Sequence, residues 1–175
     1  PKGCVFNSAC PTAFGEAKWF YYALGLLNSR TVEYYAELLS PTINFQAGDI
    51  GKIPFIKDEL WREAVEKLVK ENIILSETDY DNYETSWNFI KNPLVDGTKG
   101  LIKEKYQVLK EACEFRRNKI KENEERINEI FISIYGLESE LNKDVDEADI
   151  VLSSAPEKQC IKELISYAVG CMLGR

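Results

Sequence analysis

The sequence predicts a mainly helical (α+β) protein: a small mixed head with two or three short strands, followed by a long antiparallel helical spacer resembling a coiled-coil arm. Three observations lead there. Apolar residues recur at spacings of three and four through most of the chain, which is the period of a helix with one buried face. Two short stretches, Ile43-Asn44-Phe45-Gln46 and Ile53-Pro54-Phe55-Ile56, flank the turn Gly48-Asp49-Ile50-Gly51 and read as strands. One periodic stretch, Ile102 to Ile134, is longer than a compact domain requires.

Taken in order, Cys4-Val5-Phe6 reads as a short strand, and Pro11 and Gly15 mark turns. Glu16 to Asn28 predicts a helix burying Trp19, Phe20, Ala23, Leu24 and Leu27. A second helix, capped by Ser29 or Thr31, buries Val32, Tyr35, Leu38 and Leu39 and stops at Pro41. Pro54 lacks a backbone donor, so the strand it interrupts is an edge or ends there. Asp58 caps a helix to about Leu75 with Leu60, Trp61, Ala64, Val65, Leu68 and Val69 on its apolar side. Tyr80, Tyr83, Trp87, Phe89 and Ile90 predict a short aromatic helix closed by Asn92-Pro93. The Gly97/Gly100 hinge divides the chain into 1–97 and 98–175.

Beyond the hinge, Ile102, Tyr106, Leu109, Cys113, Ile120, Ile127, Ile130 and Ile134 share one face, interrupted by Arg116 and Asn123. A helix over 101–135 would reach roughly 50 Å, so part of it must lie against another helix or chain. Residues 142–158 form an acidic loop. A last helix, 159–173, carries Ile161, Leu164, Ile165, Ala168 and Val169 and is expected to pair with the long one.

The 175 residues are 45% hydrophobic and 29% charged, a composition that folds. A formal charge of −7 argues against an autonomous nucleic-acid binder, which gathers Lys and Arg against phosphates. Five cysteines with no C-x-x-C pair and no histidine exclude the usual zinc ligand sets. Cys113 and Cys171 sit in apolar helical patterns and are expected as buried, unreactive thiols in a reducing, cytoplasmic compartment. Neither a secretory pattern nor a membrane-length apolar run is found, so no membrane partner is expected. The chain begins at Pro1 and stops at Arg175 within an apolar pattern, which predicts a segment taken from a longer protein.

Signals for chemistry are sparse. No nucleotide-binding G-x-x-x-x-G-K-[ST] loop is present, and no Ser or Cys has a histidine to activate it. Amino-methyl transfer requires a Gly-rich cofactor turn and an Asn/Asp-Pro-Pro-aromatic loop; Asn92-Pro93-Leu94 lacks the second proline and the stacking aromatic, and reads as a turn. Hence no catalytic, cofactor-binding or metal residue is assigned. Asp79, Asp81 and Glu84 could gather a cation, or sit as a solvated helix start. Arg116, Arg117, Lys119 and Lys121 could track phosphates, although Glu114, Glu122, Glu124 and Glu125 dilute them into an exposed face laced with opposite charges. Asn44, Gln46, Asp49 and Lys52 lie where amide and charged tips could reach base edges; turn chemistry accounts equally for Asp49.

Five blocks carry a family resemblance: Tyr22-Ala-Leu-Gly-Leu-Leu-Asn-Ser29, Ser40-Pro-Thr-Ile-Asn-Phe-Gln-Ala-Gly-Asp-Ile50, Tyr83-Glu-Thr-Ser-Trp87, Asn128-Glu-Ile-Phe-Ile-Ser-Ile-Tyr-Gly-Leu137 and Ile165-Ser-Tyr-Ala-Val-Gly-Cys-Met-Leu-Gly-Arg175. In this order they resemble blocks of the PglX-like adenine-specific DNA methyltransferases of BREX phage exclusion. The first two also resemble the end of a target recognition domain in restriction-modification specificity subunits, which precedes a helical spacer. The resemblance implies a parent enzyme that transfers a methyl group from S-adenosylmethionine to adenine N6 and so marks host DNA. It implies double-stranded DNA and a methylase core of the same chain as partners, while the family's catalytic and cofactor motifs match nothing in these residues. The segment is therefore expected to recognise DNA and set spacing, or alternatively to dock on another BREX subunit or a second copy of itself.

Overall fold

Helical periodicity is realised throughout: helices are the only regular elements among the described residues of the computed structural model, namely 14–39, 47–95, 97 and 99–174. A 3-10 turn, Ala17–Trp19, leads into α1, Phe20–Leu27, which is followed by α2, Arg30–Leu39, and by one helical turn, α3, Ala47–Ile50. The remaining elements are α4, Glu59–Tyr80, α5, Ile102–Tyr135, and α6, Glu157–Met172. Contacts divide the chain into two units, one bounded by Pro1–Lys70 and Glu124–Asp144, the other by Glu71–Asn123 and Val145–Arg175. Both draw on residues from either side of Gly97.

The mixed head is corrected to a helical one where it can be seen. Ile53 to Ile56 is irregular chain, and Gly48 to Gly51 overlaps α3 instead of turning a hairpin. Two phenols explain why no ladder is needed. Tyr135 Oη donates to the Pro54 carbonyl, and Tyr22 Oη donates to the Ile56 carbonyl at 3.1 Å, so side chains satisfy a backbone that Pro54 has already deprived of one donor. The expected strands at Cys4 to Phe6 and Ile43 to Gln46 lie outside the described residues.

In the first unit, the buried face of α1 is rotated from the expected one. Trp19, Tyr22 and Leu26 are buried, whereas Phe20, Leu24 and Leu27 are substantially exposed. Tyr22 can enter the core because its hydroxyl finds the Ile56 carbonyl; burial, reinforced by the nearby Asp58 charge, pushes the phenol up to about 12. Its ring meets Phe131 edge-on at 5.1 Å and Trp19 at 5.3 Å. Gly25 sets the approach: a Cβ there would lie 2.9 Å from Val65 Cγ1 and 3.0 Å from Val69 Cγ2. Of the apolar side expected on α4, Val65 and Val69 are buried, Trp61 and Leu68 half-buried, and Leu60 faces out. On α2, Val32 is buried but Leu38 is exposed.

Caps fix the helix ends in this unit. The Asp58 carboxylate accepts from the Leu60 and Trp61 amides at 2.8 and 3.1 Å, as the N-cap reading requires. Ser29 starts α2 through its carbonyl, which accepts from Val32 and Glu33, while its hydroxyl turns back to the Leu26 carbonyl. At the end of α5, Gly136 adopts a φ of +66°, with Leu137 N donating to the Ile132 carbonyl and Gly136 N to that of Ser133. This is the paired bonding of a Schellman ending.

In the second unit, Leu94, Cys113, Ala155 and Cys160 form one apolar cluster, flanked by Tyr106, Leu109 and Leu164. Ile120, Val145 and Ile150 form another, with Leu75 and Leu152 packed against it. The expected helix from Tyr80 to Ile90 is a run of turns after α4 ends. Polar side chains outcompete helix bonds here: Ser86 donates to the Asp81 carboxylate at 2.6 Å, and its oxygen accepts from Asn88 N. Trp87 is 98% exposed and belongs to no buried face. Asn92-Pro93-Leu94 is a turn, with Asn92 Oδ1 accepting from Leu94 N at 3.0 Å. Cys171, expected to be buried, is exposed near the end of α6.

Two outcomes test this packing. Gly25→Ala must push stiff valine methyl groups and is expected to cost about 1–3 kcal/mol in urea unfolding, in line with core overpacking. Gly136→Ala, which retains the chain but strains a left-handed position, should cost about 1 kcal/mol by the same measurement.

Candidate functional site

The residues that interrupt the apolar face of α5 are the chemically distinctive ones, and they occupy interior positions. Arg116 is buried, with Nη2 3.4 Å from Asp79 Oδ1 and 3.1 Å from Cys113 Sγ. Asp79, itself buried near the end of α4, also accepts from Ser153 N at 3.1 Å. The solvated helix start expected of Asp79 is thus corrected: it is a buried counter-charge at a helix end. Asp81 receives Ser86, and the Glu84 carboxylate receives Ser166 at 3.0 Å, so the three acids serve separate partners. No group of metal-ligating side chains is found among the described residues.

Arg117 holds the 145–155 segment. Its guanidinium donates to the carbonyls of Glu147, Ile150 and Leu152, and approaches the Glu147 carboxylate at 3.5 Å. Lys121 reaches the same carboxylate at 3.1 Å. The Lys121 hydrogen bond, supplemented by the Arg117 charge, holds the Glu147 carboxyl below the usual range. Because the folded value is depressed, this tie is present at neutral pH and is lost only as pH falls through that lowered value. Lys119 lies 3.6 Å from Glu122 and 3.9 Å from Glu71.

Of the four candidates near α3, Asp49 and Lys52 are paired with each other at 3.0 Å, and Asn44 and Gln46 lie outside the described residues. Lys52 keeps 59% of its side chain exposed. The described candidates therefore fall in two groups, Arg116, Arg117, Lys119 and Lys121 of α5 in the second unit, and Asp49 and Lys52 in the first.

Two asparagines of α5 carry structural roles that pattern reading underrated. Asn123 Nδ2 donates to Glu71 and Asn72 at 2.9 and 2.8 Å. Asn128 Oδ1 accepts from Arg30 N at 3.0 Å while its Nδ2 donates to the Lys143 carbonyl at 3.0 Å. The signal for Asn123 was its place in an otherwise apolar row. Asn128 follows Ile127 and had no such marker. The thiols of Cys113 and Cys160 are pushed up by burial, which fits unreactive packing groups.

A double-mutant cycle on Asp79 and Arg116 checks the interior pair. Asp79→Ala alone leaves a buried guanidinium without its counter-charge and should destabilise by about 3–5 kcal/mol, whereas Asp79→Leu with Arg116→Met should come near the parent stability in chemical unfolding. A loss for the double variant equal to the sum of the two single-variant losses would mean that the two charges do not interact.

No family model matches the chain. It is 32% identical, over its entire length, to the "Adenine-specific methyltransferase PglX" of Lacticaseibacillus casei (strain Zhang), of which it covers 15%. It is also 32% identical to the "Adenine-specific methyltransferase BrxX" of Escherichia coli O9:H4 (strain HS), again along its whole length and covering 16% of that protein. The chain spans about one sixth of the length of the curated relatives it matches, and in sequence it is similar to a segment of each.

Proposed function

We propose that this chain is a non-catalytic recognition and spacer segment of a site-specific adenine-N6 DNA methyltransferase of a BREX or restriction-modification defence system. The observation that carries the reading is similarity along the whole chain to about one sixth of two adenine-specific methyltransferases. In the whole protein, S-adenosylmethionine would be bound, and methyl transfer performed, by residues outside this chain, since no cofactor turn or Asn-Pro-Pro-aromatic loop occurs in its sequence. Residues 1–97 act as the end of a target-recognition-like domain and 98–175 as the helical spacer. Positioning of this kind raises specificity and rate by fixing where DNA meets the methylase core.

Within that role, the candidate DNA contacts separate. Lys52 and Asp49, with Asn44 and Gln46 near them in sequence, are the candidate recognition residues; Lys119 and Lys121 are separate candidates for phosphate contact. Arg116 and Arg117 act by holding the chain together, because a guanidinium committed to a buried carboxylate or to three carbonyls has little left for phosphate. A second reading, docking on another subunit or a second copy, is favoured by the net charge of −7 and by the intramolecular pairing of the α5 cations.

Salt titration of duplex DNA binding by the 175-residue chain tests the reading. It should give weak binding with a log–log slope no steeper than about −2, reduced by Lys52→Ala and unchanged by Arg117→Ala. A slope near about −5 that collapses on replacing Arg116 and Arg117 would mean a basic α5 face on the phosphates, against the assignment made here.

A further inference from the structure

Helix α6 is apolar over far more of its circumference than one neighbour can cover. Cys160 and Leu164 pack into the cluster with Cys113, Tyr106 and Leu109. The adjoining arc carries Ile161, Ile165, Val169 and Met172 at successive helical turns, and Ile165 and Met172 are 59% and 78% exposed. A stripe about 100° wide is the amount a surface helix usually buries, and a helix apolar well beyond that is normally enclosed on a second side. The uncovered arc continues onto the start of α5: Ile161 shares a groove with Leu101, Ile102 and Tyr106, and Leu101 and Ile102 are exposed.

We infer that this two-element surface is an intramolecular docking site for an apolar segment of the remaining polypeptide in a longer PglX-like protein. The length of that remainder is the first argument. The curated relatives match this chain along its whole length yet are more than six times longer, so the equivalent helix there lies within a much larger body of chain. Charge supplies the second. The exposed side of α6 carries Glu157, Lys158 and Lys162 in its first half and no acidic residue in its second half, 165–172. A symmetric antiparallel pairing of two α6 helices about Ile165 would set those lysines against Met172 and Ala168 without counter-charges, which disfavours a second copy as the occupant.

The inference rests on the reading of the chain as one piece of a longer methyltransferase polypeptide, and its test contains no DNA, so the two can fail separately. Amide hydrogen exchange is measured over 157–173 in the 175-residue chain and in the full reading frame that contains it, each with and without Ile165→Asp/Val169→Asp. The docking site predicts at least ten-fold slower exchange in the full polypeptide, abolished by the two substitutions, which leave the melting temperature of the 175-residue chain unchanged. Equal exchange in both contexts overturns it. So does concentration-dependent dimerisation of the 175-residue chain that the substitutions remove, and so does a reading frame that adds nothing to these residues.

Discussion

A polar side chain placed in the interior needs a partner, and those of α5 find theirs on α4, at the start of α2 and on the irregular segments around it. Arg116 takes Asp79 at the end of α4, and Asp79 in turn takes the Ser153 amide. Arg117 takes three carbonyls of the 145–155 segment, and Asn128 takes one amide and one carbonyl from either side of the first unit's fold. Each bond contributes only about 1 kcal/mol net, but breaking one exposes a buried group to its full desolvation cost. That asymmetry lets a few residues fix the path of long irregular stretches, which have little apolar surface of their own to bury.

The same constraint governs what α5 can offer to a ligand. A basic run beside a long helix suggests a phosphate track, yet two of its four members are spoken for by interior or loop oxygens, and the other two have carboxylates within reach. Local acidic residues and a net charge of −7 reinforce this balance. Little positive charge on this run of the helix is left uncompensated.

Legibility from sequence followed the strength of the local signal. α5 and α6 were readable to within a few residues, because their periodicity is long and their ends carry Gly136 and Pro156. The Asp58 cap and the Asn92-Pro93 turn were readable because each is a local bond with its own chemistry. Ile53 to Ile56 was misread because an apolar stretch after a turn is a strand only if a neighbouring strand supplies the ladder, and here tyrosines from distant positions take its carbonyls instead. The buried face of α1 was misplaced for a related reason: Tyr22 looked amphipathic until a carbonyl was found for its hydroxyl, and Gly25 has no hydrophobic weight although it governs the closest approach. Among the candidate site residues, the sequence showed the basic cluster but not its partners, which lie as far off in the chain as Glu71 is from Lys119.

The most direct measurement of the central claim is native-state exchange of two amides held by side chains, that of Arg30 at the first position of α2 and that of Ser153 in the 145–155 segment, whose acceptors are Asn128 and Asp79. If interior polar side chains fix the irregular segments, both amides should exchange within about ten-fold of the slowest α5 amides in their own unit, because they open only with it. Exchange at the rate of an unstructured peptide would contradict the account, since those segments would then be held by nothing that α5 or α4 provides.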